Sequence, residues 1–199
     1  MKLVPIQKGR LSHKGEPTTE AEQVSLRTTV YQLNWLGEGG CPTLAGTASL
    51  LASRLEKSTV EDISIANAAV RSLKMSASLT LKLWKFKSVD DIIPVSFRDC
   101  AGPGSAAGGS SQGAHVVCLA EKRLASGALA TISQIRWQSN KIRRKVASTL
   151  AGEAVTFINS LAEVEYLQVM LRDIVYNDVN VRNWIASLGY FIPIALESG

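Results

Sequence analysis

The first 75 residues alternate apolar and polar positions with a helical period. Apolar side chains recur three or four positions apart and predict three helices, over 20–36, 43–56 and 60–75. Thr19 is followed three residues later by Glu22, which is the spacing of a capping box at a helix start. Pro42 suits the first residue of the second helix, and Thr59 suits the cap of the third. The pattern therefore predicts a helical N-terminal segment.

From Ser76 onward the period changes from helical to two, which indicates β-strands. Strands are predicted over 79–83, 92–97, 115–119 and 130–137. Residues 101–113 are rich in Gly and Ser and predict a turn or hairpin loop. From Ser148 the sequence predicts an amphipathic helix of about 25 residues, whose apolar side chains should form its buried face. A short helix over 181–188 and an apolar run over 190–196 follow, and Pro193 restricts that run to an edge strand.

This order of three helices, four or five strands and a long helix predicts an α+β or mixed α/β fold. The boundary lies where the period changes, near residues 76–78. It divides the chain into a helical segment, 1–76, and a second domain, 77–199.

Composition and charge narrow the class of protein without naming a function. The chain has 46% hydrophobic and 20% charged residues, which is typical of a globular protein. Its net charge of +5 permits a nucleic-acid partner without requiring one. The three cysteines show no paired spacing, so neither a disulfide framework nor a zinc site is indicated. No apolar run is long enough to cross a membrane, so we expect a soluble intracellular chain, cytoplasmic or nuclear, without a membrane partner.

Two carboxylates have positions that suit a metal site. Asp99 ends an apolar strand, and Glu153 lies in the first turns of the long helix among small and apolar residues. A carboxylate near the buried side of a helix needs compensation, and Mg²⁺ is held by one or two carboxylates plus waters. Structural explanations stand beside this one, because Asp is common in turns and Glu is favoured by the helix dipole.

A basic run precedes the long helix and follows Trp137. It consists of Lys141, Arg143, Arg144 and Lys145. These side chains could follow a phosphate backbone beside an aromatic ring, or they could keep a hairpin edge charged and solvated. The sequence leaves both explanations open.

Several short segments, in order, resemble the end of the polyprotein of copia-type LTR retrotransposons. In the part that resembles the segment after the reverse transcriptase palm, they are 19–20, 26–27, 32–36, 58–62 and 66–71. In the part that resembles the ribonuclease H domain, they are the Asp-bearing strand 97–102, the loop 108–114, the Trp and basic segment 135–144 and the Glu-bearing helix start 148–153. The resemblance extends over nearly the whole chain.

The resemblance implies a ribonuclease H-like mixed sheet with a long helix, preceded by a reverse transcriptase connection segment. Such an enzyme hydrolyses the RNA strand of RNA–DNA hybrids with two Mg²⁺ ions, or Mn²⁺, held by acidic residues. By matching position, Asp99 would bridge the ions and Glu153 would bind one of them. Lys141, Arg143, Arg144 and Lys145 would face the nucleic acid.

The chain also departs from that family. The family's next catalytic Asp lies on a strand after the long helix, and Asp173, Asp178 and Glu197 do not match its motif. Residues 41–44 are Cys-Pro-Thr-Leu, where the family has the motif Arg-Pro-Asp-Ile. Two carboxylates alone offset the repulsion between two Mg²⁺ ions poorly, so we expect a weak or inactive nuclease. The alternatives are a non-catalytic module that binds nucleic acid or protein, and a fragment that folds poorly; the oligomeric state is left open.

Overall fold

A computed structural model of the chain describes the backbone of residues 1–76, 81–187 and 194–197. Its helices are α1 (Glu20–Gly39), α2 (Pro42–Arg54), α3 (Val60–Met75), α4 (Thr149–Tyr176) and α5 (Trp184–Ser187). Its strands are β1 (Ile92–Ala106), β2 (Ser110–Glu121), β3 (Ile132–Lys141) and β4 (Ile194–Glu197). No helix in these described ranges is long and apolar enough to cross a membrane.

The chain forms two compact units that do not follow one another along the sequence. Unit 1 comprises Met1–Leu81, Gly102–Gln112 and Gln138–Val146. Unit 2 comprises Lys82–Ala101, Gly113–Trp137 and Ala147–Gly199. The N-terminal helices thus share a unit with the end of the β1–β2 hairpin. The domain boundary at residue 76 was predicted from the change of periodicity alone, and it stays a prediction.

Unit 1 begins with the three helices that the periodicity predicted. The Thr19 side chain accepts a hydrogen bond from the Glu22 amide, and the Glu22 carboxylate accepts one from the Thr19 amide, so the predicted capping box is confirmed. Pro42 occupies the first turn of α2, also as predicted. Thr59 and Asp62 form a second capping box at α3. Local sequence therefore determines where each helix begins.

The core of unit 1 lies between these helices. Its buried side chains include Leu26, Val30, Leu33, Leu51, Ile63 and Val70. Full burial of such a side chain contributes about 1.5–3 kcal/mol. Gly37 faces the start of α2 so closely that an added Cβ would lie 3.1 Å from the Ala45 nitrogen. The α1–α2 pair is therefore packed at backbone contact distance.

Glu22 links the α1 cap to the N-terminal segment and is 8% exposed. Its Oε2 accepts hydrogen bonds from the Thr19 amide and from Arg10 Nη1. Burial acts to raise the pKa of Glu22, but these donors outweigh it and hold the pKa below its ordinary value of 4.5. The stability that Glu22 contributes is therefore present above pH 4.5 and lost as the pH falls through the lowered pKa of the folded state.

We predict that Glu22→Gln lowers the free energy of unfolding at neutral pH by about 1–2 kcal/mol. Urea unfolding at neutral pH and in acid measures this, and the difference from the unmodified chain should shrink in acid, where both carry a neutral side chain. Glu20→Gln is the matched control, because the Glu20 side chain is exposed in the same helical turn. An equal loss in both variants would contradict the role assigned to Glu22.

The strands form one mixed sheet with the order β3-β2-β1-β4. The first three strands are antiparallel. β4 pairs with β1 in parallel, with Val95 opposite Ile194 and Arg98 opposite Glu197. β4 lies at the edge of the sheet, as the sequence predicted for the closing run. The fold is therefore of the predicted α+β class with a mixed sheet.

One strand prediction and one loop prediction were wrong. Residues 81–83 are not a strand, and the Trp84 amide donates a hydrogen bond to the Ser133 hydroxyl instead of joining a strand ladder. The loop predicted over 101–113 is mostly strand, because β1 and β2 continue until a turn at 107–109. Gly108 and Gly109 adopt positive φ there, which explains the glycine-rich composition. Residues 79–80, the start of the strand predicted over 79–83, lie outside the described residues.

Helix α4 begins after Ser148, as predicted, but most of its fully buried residues are not the large apolar ones that were expected. The Ser148 side chain accepts a hydrogen bond from the Ala151 amide and caps the helix. Its buried residues form a row of mostly small side chains four positions apart: Gly152, Thr156, Ser160 and Val164. Large apolar side chains of the same helix are exposed, among them Leu150 and Ile174. Small residues at this spacing allow the helix to lie close to the polypeptide backbone it covers.

Candidate active site

Asp99 lies on β1, where alternate residues face opposite sides of the sheet. Ile93 and Val95 are buried in the core of unit 2, together with Cys118 and Ala120 of β2. Asp99 has the same parity along β1 but is exposed, because the core ends before it. The strand therefore carries a carboxylate just beyond the point where its apolar run ends.

Helix α4 covers the opposite side of β1. The Ser96 hydroxyl donates to the Ser160 hydroxyl at 3.4 Å, and the Arg98 guanidinium lies 4.4 Å from the centre of the Phe157 ring. Both contacts join even-numbered residues of β1 to α4. They fix the helix along the strand and bring its first turns, which contain Glu153, to Cys100.

The carboxylates of Asp99 and Glu153 meet at one backbone amide. The Cys100 N–H lies 2.8 Å from Asp99 Oδ1 and 3.1 Å from Glu153 Oε1. Two oxygen atoms at these distances from one nitrogen are at most about 6 Å apart. The sequence analysis assigned these two carboxylates to one metal site, and both lie within hydrogen-bonding distance of the same amide. Metal binding by the pair stays a prediction.

Cys100 lies between the two carboxylates and is 5% exposed. Burial raises the pKa of the Cys100 thiol, a hydrogen bond with Thr156 opposes this, and the negative charges of Glu153 and Asp99 raise it further. A thiol with a raised pKa is a poor nucleophile at neutral pH. Cys100 therefore contributes its amide to the site, and the chemistry available there is that of the carboxylates.

Two cations that could pair with these carboxylates, Arg98 and Arg136, have other contacts. Arg136 pairs with Glu163 at 2.7 Å, and Arg98 stacks on Phe157. Neither Asp99 nor Glu153 takes part in an ion pair among the described residues. Two like charges that share a single N–H donor repel each other and favour a bound cation.

His115 lies in unit 2 but is not a member of the carboxylate pair. The His115 side chain is 5% exposed, and its burial lowers its pKa. The negative charge of Glu163 acts to raise this pKa, and the positive charge of Arg136 lowers it further. Its Nε2 has no hydrogen-bond partner among the described residues. His115 is therefore a neutral, buried side chain at neutral pH.

The donor set fits one divalent cation better than two. Mg²⁺ is commonly held by one or two carboxylates, with waters and substrate phosphate as the other ligands. Within the described part of the chain, no group of three or more His, Cys, Asp or Glu residues could hold a metal ion. Asp99 and Glu153 can therefore provide two oxygen ligands on one side of a Mg²⁺ or Mn²⁺ ion.

The strand register brings one further acidic position of the chain, Glu197, beside β1. β4 runs parallel to β1 and places Glu197 opposite Arg98, one residue from Asp99. The sequence analysis did not assign Glu197 as a catalytic carboxylate, because its neighbours do not match the family's motif. The pairing of β4 with β1 joins positions about a hundred residues apart, so local sequence could not show it.

The basic run belongs to a different unit from the carboxylates. Arg143, Arg144 and Lys145 are exposed in the segment after β3, and Lys141 is the last residue of that strand. This segment is part of unit 1, which carries 13 Lys and Arg residues against 7 Asp and Glu, a net charge of +6. Unit 2, which contains Asp99 and Glu153, carries 9 basic and 10 acidic residues, a net charge of −1.

Cys100 and Thr156 are the neighbours of the carboxylates that sequence reasoning missed. The four-residue spacing of Gly152, Thr156 and Ser160 could have shown which side of α4 approaches a strand.

Comparisons of the chain with protein-family models, with curated proteins and with solved structures found no match.

Proposed function

We propose that the chain binds a divalent cation, Mg²⁺ or Mn²⁺, through Asp99 and Glu153, as a ribonuclease H-like domain does. The reaction class is hydrolysis of the RNA strand of an RNA–DNA hybrid, at low or no rate. The observation that carries the proposal is the Cys100 amide shared by carboxylates from β1 and α4. A turn at the end of β1 alone would not bring a helix carboxylate to the same donor.

The arrangement of secondary structure supports the same proposal. The family resemblance implies a mixed sheet, a long helix with a catalytic Glu near its start, and a further strand after that helix. The chain has a mixed sheet, Glu153 in the first turns of α4, and β4 beside β1. Segments in the first 76 residues resemble the reverse transcriptase connection region, which supports an origin in a retrotransposon.

Each residue has a distinct part in this proposal. Asp99 and Glu153 bind the cation, which when bound stabilises negative charge on the phosphate and on the leaving oxygen. The Cys100 N–H orients both carboxylates. With two firmly placed ligands, the site holds one ion more readily than two, which accounts for a low rate.

We predict that Mn²⁺ or Mg²⁺ raises the melting temperature of the protein and that Glu153→Gln removes most of this rise. A neutral amide is a much weaker ligand for a hard divalent cation than a carboxylate. Thermal unfolding at increasing metal concentration measures the effect, which grows with the ratio of metal to dissociation constant. Cleavage of a labelled RNA–DNA hybrid in the same samples tests the reaction.

Glu165→Gln is the matched control, because Glu165 lies on the same helix and joins no ion pair among the described residues. It should leave the metal response unchanged. An absent metal response, or an equal loss in both variants, would refute the proposed metal site. A metal response without hybrid cleavage would leave a metal-binding domain that has lost the reaction.

A non-catalytic nucleic-acid-binding module is the second candidate function. The observation in its favour is the concentration of positive charge in unit 1, including Lys141, Arg143, Arg144 and Lys145. Under this alternative the basic run binds phosphates, and its contribution weakens with added salt. Binding of the hybrid that is unaffected by chelators and by Glu153→Gln would favour it.

A further inference from the structure

Unit 1 exposes two aromatic rings on one side of α1. Trp35 is 74% exposed and Tyr31 is 61% exposed. They lie four residues apart, so their side chains are neighbours along one face of the helix. Most large aromatic side chains of a folded protein are at least partly covered, and a pair this exposed indicates a surface that binds a partner.

The two rings border an open groove of about 600 Å³. Its wall includes Thr28 and Gln32 of α1 and Leu73 of α3. Aromatic side chains provide flat stacking surfaces, and Thr28 and Gln32 provide hydrogen-bonding groups between them. The volume is in the range of pockets that hold small ligands or single residues of a polymer.

The charges of unit 1 favour an anionic occupant. Arg27 is exposed one helical turn before Tyr31, on the same face of α1. Lys74 is exposed beside Leu73, and Lys2 is exposed beside Met1, which also lines the groove. Arg10 and Arg54 pair with carboxylates of their own unit, whereas Arg27 joins no ion pair among the described residues. With a net charge of +6, unit 1 is electrostatically complementary to a polyanion.

We propose that the Tyr31–Trp35 face of α1 binds single-stranded nucleic acid, with bases stacked on the two rings and phosphates near Arg27. Every base has a flat face, so this surface would bind with little sequence preference. The inference goes beyond the proposed metal site, because it concerns unit 1 and requires neither a divalent cation nor Asp99.

The test is fluorescence anisotropy of a short labelled deoxythymidine oligonucleotide with the full chain, in a chelator. We expect saturable binding that weakens with salt, and about a tenfold loss of affinity in Trp35→Ala, because loss of one base–aromatic stack has an effect of this order. Arg27→Gln should weaken binding and lower the slope against log salt by about one unit. Circular dichroism checks that each variant is folded.

Trp84→Ala is the matched control. Trp84 is 56% exposed and lies 6.0 Å from the Lys82 ammonium, but it belongs to the nearly neutral unit 2. It should leave oligonucleotide binding unchanged. No binding, or equal losses in Trp35→Ala and Trp84→Ala, would overturn the proposal. Self-association that Trp35→Ala removes, with unchanged oligonucleotide binding, would also overturn it in favour of a protein interface.

Discussion

Asp99→Asn is expected to abolish the metal response of the protein and to lower any cleavage of an RNA–DNA hybrid by at least about a hundredfold. This loss is expected because the substitution removes one of the two carboxylates that would bind the cation. The asparagine Oδ1 can still accept the hydrogen bond that the Cys100 amide gives to Asp99. The local backbone should therefore remain intact while the charge is lost.

The same substitution has an opposite effect in the absence of metal. Removal of one of two repelling carboxylates should raise the melting temperature of the metal-free protein, by an amount that corresponds to about 0.5–1 kcal/mol. Asp99→Asn is thus predicted to stabilise the protein in a chelator and to eliminate the further stabilisation by Mn²⁺. A residue that only terminates a strand would show neither effect.

Asp91→Asn provides the matched control for Asp99→Asn. Asp91 is exposed in the short turn before β1 and forms no hydrogen bond or ion pair with Glu153 among the described residues. It should leave both the metal response and the cleavage rate unchanged. A fall in metal-free stability with Asp99→Asn, combined with an unaltered metal response, would show that the carboxylate serves the turn and would refute the metal site.

Local signals account for the parts of the fold that the sequence predicted well. The capping residues Thr19 and Thr59, together with Pro42, act within one helical turn, and the starts of all three N-terminal helices followed from them. Ser148 acts in the same way at α4. These interactions depend on residues three positions apart, which a single sequence displays directly.

The parts that the sequence predicted poorly depend on distant pairing. Leu81 and Leu83 alternate with polar residues, yet no neighbouring strand hydrogen-bonds to them, and the segment connects the two units. The glycine-rich segment after Asp99 forms strand because β1 and β2 continue to pair beyond it. The alternation of apolar and polar residues indicates which face of a strand could be buried. Whether the segment forms a strand depends on hydrogen bonds to a distant segment, which the local pattern does not identify.

Helix α4 shows why the candidate site could be predicted in position but not in detail. Its apolar residues surround the helix, so hydrophobicity did not distinguish the side that lies on the sheet. The buried row is small and partly polar, because Gly152, Thr156 and Ser160 permit a close approach to β1. That approach brings Glu153 to the Cys100 amide, a contact between residues separated by 53 positions.

Asn67→Ala is predicted to have the largest effect on the stability of unit 1. The Asn67 side chain is 7% exposed, and it pairs with both backbone groups of Val4. Its Oδ1 accepts from the Val4 amide at 2.7 Å, and its Nδ2 donates to the Val4 carbonyl at 3.0 Å. Alanine would leave two buried backbone groups without partners, so we expect the free energy of unfolding to fall by about 2–4 kcal/mol.

Urea unfolding followed by circular dichroism measures this loss, and Asn34→Ala is the matched control. Asn34 Nδ2 donates to Glu38 Oε1 at 2.9 Å on the exposed side of α1, so its removal should change stability by less than about 0.5 kcal/mol. Similar losses in the two variants would mean that burial of the Val4 pairing contributes nothing beyond a surface contact.

The Val4–Asn67 pairing also connects stability to the proposed nucleic-acid surface. It fixes the N-terminal segment, whose first residue, Met1, lines the groove beside Tyr31 and Trp35. Asn67→Ala should therefore weaken oligonucleotide binding as well as lower stability, whereas Trp35→Ala should weaken binding at unchanged stability. Unaltered binding in a folded but destabilised Asn67→Ala protein would show that the groove wall formed by Met1 is not needed, and that the two rings of α1 suffice for the interaction.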